Sequence, residues 1–347
     1  MYNVKVIFNN TLGWSKVFAV FTKKDNVKKV EMTFVKNTLY FCFINDIYDD
    51  VCFTDECNVC TVHMSFNNCV FSFEPNGYEF NGVVCLQPYE ESYMTSTKTT
   101  TAKFKLKSGS EKEIYIWTPK DYYKNAATQK YGVVYMFDGQ NLFDKNSTSY
   151  GSWNVPQIMN IRGDYIVVGI NNGDIYRNSQ LTPNIGRTRP CYEKQFSNSM
   201  GIPFAEFIVN TIIPYINKNY NVFTDKYHTS VCGSSSGGLE SFYMGMIYSD
   251  IFGVVGALSP AFALYDDNVW NGFLQSVDIK NAPIIYLYTG KNDLVEKELY
   301  PQIESMLTLL KKNGYDTNKL VYDYKKYNNH NEACWSGAFV KFASLLN

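Results

Sequence analysis

Residues 228–247 hold the feature that most restricts how this chain can fold. A short apolar run, His228 to Cys232, leads into Gly233-Ser234-Ser235-Ser236-Gly237, and a helical stretch from Leu239 to Ile247 follows. Strand, Gly-x-Ser-x-Gly, helix is a connection too tight for bulky neighbours. Glycine at 233 and 237 leaves the space, and the turn lifts the hydroxyl of Ser235 out of the backbone. The helix that starts there points free N–H groups at any nearby negative charge. The same five residues would also serve as an ordinary Gly/Ser turn, so the rest of the chain has to decide.

The sequence from 101 onward alternates strand and helix. Strands are expected near Lys103–Leu106, Glu113–Thr118, Val133–Phe137, Tyr165–Ile170, Thr229–Cys232, Val254–Leu258, Ile284–Tyr288 and Leu320–Tyr324. Helices are expected near Phe204–Lys218, Leu239–Ile247, Glu298–Asn313 and Trp335–Leu346. Near-continuous apolar strands alternating with helices predict a doubly wound, mostly parallel α/β sheet. Active groups should then gather at the strands' carboxyl ends.

A serine hydroxyl needs a base to become a nucleophile. The chain has three histidines. His228 sits at the wrong end of the strand before the elbow, and His63 lies far upstream. His330, in the polar loop Tyr327–Ala333, is the candidate. A carboxylate should orient its ring. Asp293 follows the buried strand at 284–288 and gives the order Ser, Asp, His. Glu296 and Glu298 are nearby substitutes inside the next helix, and Asp293 has an alternative role as that helix's N-cap. Two backbone N–H groups should face the developing oxyanion. Ser236 supplies one, and Gln140, in the turn after the strand at 132–137, supplies the other. Asp138 and Asn141 flank that turn as loop-shaping or substrate-binding groups. The segment Asn171 to Met200 has no clear periodicity and is expected to line the substrate pocket. Arg177 would bind loop backbone or substrate there, and Trp153 would form another pocket wall or simply pack.

With these motifs in order, residues 101–347 resemble the esterase D or enterochelin-esterase-like branch of the α/β hydrolases. That branch includes feruloyl and acetylxylan esterases of carbohydrate esterase family 1 and the mycolyltransferases. The matching stretches are Tyr135–Asp144, Gly169-Ile170 with Arg177, Gly233–Leu239, Ser259–Phe262 and His330–Trp335. The resemblance implies Ser235 as nucleophile, His330 as base, Asp293 as acid, and Gln140 and Ser236 as oxyanion donors. It leaves the substrate open among thioesters, sugar esters, siderophore lactones and acyl transfer.

Upstream of 90, short alternating runs separated by Asn, Asp and Gly predict a small all-β sandwich. The Thr-rich, polar 91–100 reads as a linker. The divisions are thus 1–90, 91–100 and 101–347. The first part also resembles a starch-binding module, with Trp14 as a stacking platform for a sugar ring and Asn67 and Asn68 as polar partners; a core position for Trp14 is the other reading. Polysaccharide is the partner this implies, and an acylated carbohydrate is the expected substrate. A siderophore or thioester hydrolase, an acyltransferase, or a sugar-binding protein on an inactive hydrolase fold are the alternatives.

Length and composition fit. The chain has 347 residues and is 45% hydrophobic, enough for two cores. A net charge of −1 argues against a nucleic-acid partner. No apolar run is long enough to span a membrane. No secretory signal is visible at residue 1, so a cytoplasmic protein is expected, or one whose leader has been removed. Nine cysteines, six of them between Cys42 and Cys85, read as reduced thiols. Cys57-x-x-Cys60-x-x-His63 has zinc-like spacing but lacks a second pair, so no metal or other cofactor is expected.

Overall fold

The computed structural model describes residues 4–9, 14–36, 39–44, 48–56, 64–65, 79–80, 83–88, 98–106, 111–143, 152–173, 175–196 and 198–347. Two small antiparallel sheets form first. Strands β1 (Val4–Asn9), β2 (Phe18–Lys23), β3 (Asn26–Glu31), β4 (Thr33–Lys36), β5 (Leu39–Ile44), β6 (Asp50–Thr54), β7 (Met64–Ser65), β8 (Glu79–Phe80) and β9 (Val83–Pro88) supply them. One sheet has the order β4-β5-β1-β9-β8, the other β3-β2-β6-β7. Ala19 and Phe21 alternate inward along β2, as a half-buried strand requires.

The larger sheet has eight strands in the order β10-β11-β13-β12-β14-β15-β16-β17. They are β10 (Lys98–Lys105), β11 (Glu111–Thr118), β12 (Gly132–Met136), β13 (Tyr165–Ile170), β14 (Thr229–Ser234), β15 (Val254–Leu258), β16 (Ile284–Gly290) and β17 (Leu320–Lys325). The six strands from β13 to β17 pair in parallel, and β10 and β11 close the far edge antiparallel. Because β10 begins at Lys98, the end of the expected linker is already sheet.

The helices are α1 (Tyr122–Asn125), α2 (Val155–Arg162), α3 (Arg177–Gln180), α4 (Pro190–Glu193), α5 (Gly201–Phe207), α6 (Ile213–Asn219), α7 (Ser236–Ile247), α8 (Asp267–Ser276), α9 (Leu294–Lys312) and α10 (Glu332–Ala343). A π-helical turn, Ile208–Ile212, joins α5 to α6. Alternate residues of the central strands feed two apolar layers. Val133, Tyr135 and Phe137 pack with α5 to α9, whereas Val134 and Met136 pack with α2 and α10. Phe8, Phe21 and Phe53 of the N-terminal sheets belong to that second layer. Burial on both faces explains why the strands read as apolar runs rather than alternations. Among the described residues, no helix is long and apolar enough to cross a membrane.

Candidate active site

Three adjacent strands end in a strained non-glycine residue. Asp138 follows β12 at φ 54°, Ser235 follows β14 at φ 57°, and Ser259 follows β15 at φ 42°. L-residues rarely hold this region, and such strain gathers at functional sites. At Ser235 the reason is visible. Its N–H donates to Leu258 O, its carbonyl accepts from Ala261 N, and α7 starts at the next residue. A Cβ on residue 233 would stand 2.6 Å from the Gly237 carbonyl carbon, so only glycine lets strand and helix approach this closely. Ser235 keeps partial exposure among buried neighbours.

His330 lies just before α10, in the loop after β17. Its Nδ1 stands 3.1 Å from Glu296 Oε1, and its ring meets the edge of Trp335 at 4.8 Å between centroids. Glu296 is fully buried. Four donors surround its carboxylate: Ser259 Oγ and His330 Nδ1 at Oε1, Gly290 N and Thr289 Oγ1 at Oε2. A buried carboxylate is tolerated only when partnered in this way.

Asp293 does not meet the imidazole, which corrects the expected acid. Its Oδ1 accepts from Glu296 N as the N-cap of α9, and its Oδ2 accepts from the His330 backbone N–H at 2.6 Å. Asp293 therefore ties the histidine loop to α9, while the carboxylate on the ring comes from one helical turn further on. The spacing Asp-x-x-Glu already carried a signal. It is that of a cap at 293 and a side chain at N3, with Glu296 turned toward His330. Among the described residues the Ser235 hydroxyl makes no hydrogen bond, to His330 or to any other group. Catalytic hydrogen bonds often tighten only around substrate.

Gln140 sits in the short turn Gly139–Asn141, and Ser236 is the first residue of α7. The turn is gripped from several sides. Arg177 makes a bidentate pair with Asp138, Nε to Oδ1 at 2.6 Å and an Nη to Oδ2 at 2.7 Å. Asn172 Oδ1 accepts from Asp138 N, and Asn172 N donates to Gln140 Oε1. Asn141 Nδ2 donates to Glu332 Oε1 at 3.1 Å. Asp138 and Asn141 thus spend their polar side-chain groups on tying the turn to Arg177 and to Glu332 at the start of α10. Burial works against the Arg177 charge, but Asp138 outweighs it and raises the guanidinium pKa. Burial also raises the Glu332 carboxyl, with Asp138 adding to the effect and Arg177 and His330 opposing it.

Trp153 is 1% exposed and packs against Trp335 and Phe339, so it forms no pocket wall. Its place is behind the tryptophan that supports His330. The stretch 171–200 is less irregular than expected, with α3 and α4 in it and Arg189 paired with Asp266. In the N-terminal part, Trp14 is half-buried and stacks on Phe8 at 6.1 Å. Asn67, Asn68 and the Cys57, Cys60, His63 pattern lie outside the described residues, whereas Cys52 is buried. Ser259, Asn172 and Glu332 were not singled out as site residues, although Ser259 and Glu332 lie in the stretches that carry the family resemblance and Asn172 in the segment expected to line the pocket.

A family model described as "Putative esterase" matches residues 107–344. The chain belongs to this esterase family. It is a carboxylic ester hydrolase, and its α/β-hydrolase sheet is shared with solved esterases. A ferulic acid esterase superposes with a TM-score of 0.53 at 18% identity, covering 72% of this chain and 98% of that one. The S-formylglutathione hydrolase FrmB from Staphylococcus aureus gives 0.52 at 13% identity, covering 72% and 97%. The enterobactin esterase FES from Shigella flexneri gives 0.55 at 13% identity and covers 99% of this chain and 92% of its own. This esterase is also 22% identical over 223 residues to the uncharacterized protein YbbA of Bacillus subtilis, covering 62% of this chain and 84% of that protein.

Proposed function

We propose that this esterase works through a Ser235–His330–Glu296 triad and an acyl-enzyme. The observation that carries the reading is the buried Glu296 carboxylate on His330 Nδ1; the loop after β15 links it to the serine held at φ 57°, since Ser259 donates to Glu296 and Ala261 N donates to the Ser235 carbonyl. A glutamate oxygen that accepts from Nδ1 favours the tautomer with its proton there, which leaves Nε2 as the base. Ser235 Oγ attacks the ester carbonyl as Nε2 takes its proton. The N–H groups of Gln140 and Ser236 receive the oxyanion, and Nε2 returns the proton to the leaving alcohol. Water then repeats the sequence on the acyl-enzyme.

The expected substrate is an acylated carbohydrate, a reading supported by the likeness to a ferulic acid esterase and by the β-sandwich before the catalytic sheet. A second reading, an ester of the enterobactin type, is favoured by one observation: the FES likeness extends over both parts of the chain. Short-chain p-nitrophenyl esters test the chemistry. Ser235→Ala should lower kcat by at least about 10³-fold; retention of wild-type turnover would remove Ser235 from the mechanism. A panel of acetyl and feruloyl sugars beside enterobactin then separates the two substrate readings by kcat/KM.

A further inference from the structure

A cavity of about 270 Å3 lies at the antiparallel edge of the large sheet, on the carboxyl-end side. Leu106, Met200, Pro203, Phe204 and Phe207 give it an apolar lining, and Gln180 is its most buried polar residue. The rings of Phe204 and Phe207 stack, 23° from parallel with centroids 6.1 Å apart, and Phe207 is the more exposed of the two. The π-helical turn Ile208–Ile212 brings Asn210 and Thr211 to the same cavity. Such wide turns concentrate at functional sites.

Gln180 has a fixed orientation. Its Oε1 accepts from Lys112 Nζ at 2.8 Å and from Asn172 Nδ2 at 3.3 Å. An ammonium can only donate, so the amide cannot flip. The nitrogen Nε2 is left as a donor with no partner among the described residues, on a side chain that lines the cavity and is 5% exposed. Lysine 105 and Glu206 at the cavity offset one another in charge.

We propose that this cavity is a small-molecule site separate from Ser235. It takes a compact aromatic group carrying an uncharged oxygen acceptor, a carbonyl or a phenol. The ring lies on Phe204 and Phe207, and Gln180 Nε2 donates to the oxygen. The site is wired to the oxyanion turn, because Asn172, which holds Gln180, also accepts from Asp138 N and donates to Gln140.

The probe is 4-hydroxyacetophenone, titrated calorimetrically and by ligand-observed NMR into the full-length protein. Saturable binding below about 10 mM is expected, equal in wild type and Ser235→Ala. Thr211→Phe, which fills the cavity and leaves Gln180 and its partners in place, should abolish binding while p-nitrophenyl acetate turnover persists. Gln180→Leu should weaken binding about tenfold. Absence of saturable binding, competition with an inhibitor bound covalently at Ser235, or undiminished binding to Thr211→Phe would each overturn the proposal. Because binding is read without catalysis, these outcomes stand apart from the esterase mechanism.

Discussion

Four donors converge on the carboxylate of Glu296, and only one of them is the imidazole. Asp293, three residues earlier, divides its oxygens between a helix cap and the backbone of residue 330. The two carboxylates should therefore answer differently to the same isosteric change. Glu296→Gln should reduce kcat on p-nitrophenyl acetate about 10²- to 10⁴-fold with little change in KM, since the amide disturbs the tautomer. Asp293→Asn keeps an acceptor and should cost less than about tenfold in kcat, with about 1 kcal/mol of stability lost from the cap. The reverse ranking would return the acid's role to Asp293. Arg177 is expected to act through Asp138, whose carboxylate is buried and would lose its main partner. Arg177→Ala should thus lower kcat more than it raises KM, and a pure KM effect would instead place the guanidinium on substrate. Sequence located the tight turn at Ser235 by the crowding that demands Gly233 and Gly237, and it singled out His330 by elimination among three histidines. It did not separate Asp293 from Glu296, because that choice depends on which way a first-turn side chain points.

Helix α7 joins Ser235 to the core and carries an oddity one turn beyond it. Glu240 is fully buried, and among the described residues neither carboxylate oxygen has a hydrogen-bond partner. Desolvation raises its pKa well above the usual carboxylate value. The folded protein therefore binds this proton more tightly than the unfolded chain does. That stability is fully present below the unfolded carboxyl pKa, about 4, and is lost as pH rises toward the folded value. Glu240→Gln abolishes the titration. Its stability relative to wild type should grow with pH above about 4, by up to about 1.4 kcal/mol per unit. Urea titrations at several pH values check this, and parallel pH profiles for the two proteins would show that Glu240 is already neutralised by other means. The strands of this domain were legible because burial on both faces makes them uniformly apolar, and Tyr165–Ile170 and Val254–Leu258 match residue for residue. Helices α2 and α8 were not anticipated. Only Val155 to Met159 of α2 are buried, and α8 buries just Trp270, Phe273 and Leu274, so neither gives a long periodic signal.

At the scale of the molecule, the N-terminal sheets do more than precede the hydrolase. Val6, Phe8, Val17, Phe21 and Phe53 fall in one continuous apolar layer with Trp335, Phe339 and Phe342 of α10 and with Val155 and Ile158 of α2. Strand β9 runs close to α2. Helix α10 begins two residues after His330, and its Trp335 braces the imidazole while donating to Ser259, a ligand of Glu296. The sandwich therefore lies behind the face that holds His330. A chain cut to residues 98–347 would expose part of this layer to water, at roughly 25 cal/mol for each Å2 of apolar surface uncovered. We expect the shortened chain to be less soluble and to unfold at least several degrees lower than the full chain. Its kcat on p-nitrophenyl acetate should fall even where substrate binding needs no sandwich. Thermal unfolding, size-exclusion chromatography and turnover of the two chains measure this directly. If the shortened chain keeps the elution behaviour, unfolding temperature and kcat of the full chain, the sandwich is not a support. Its retention would then rest on a binding role, which starch pull-down with Trp14→Ala tests, since Trp14 remains half exposed beside Phe8.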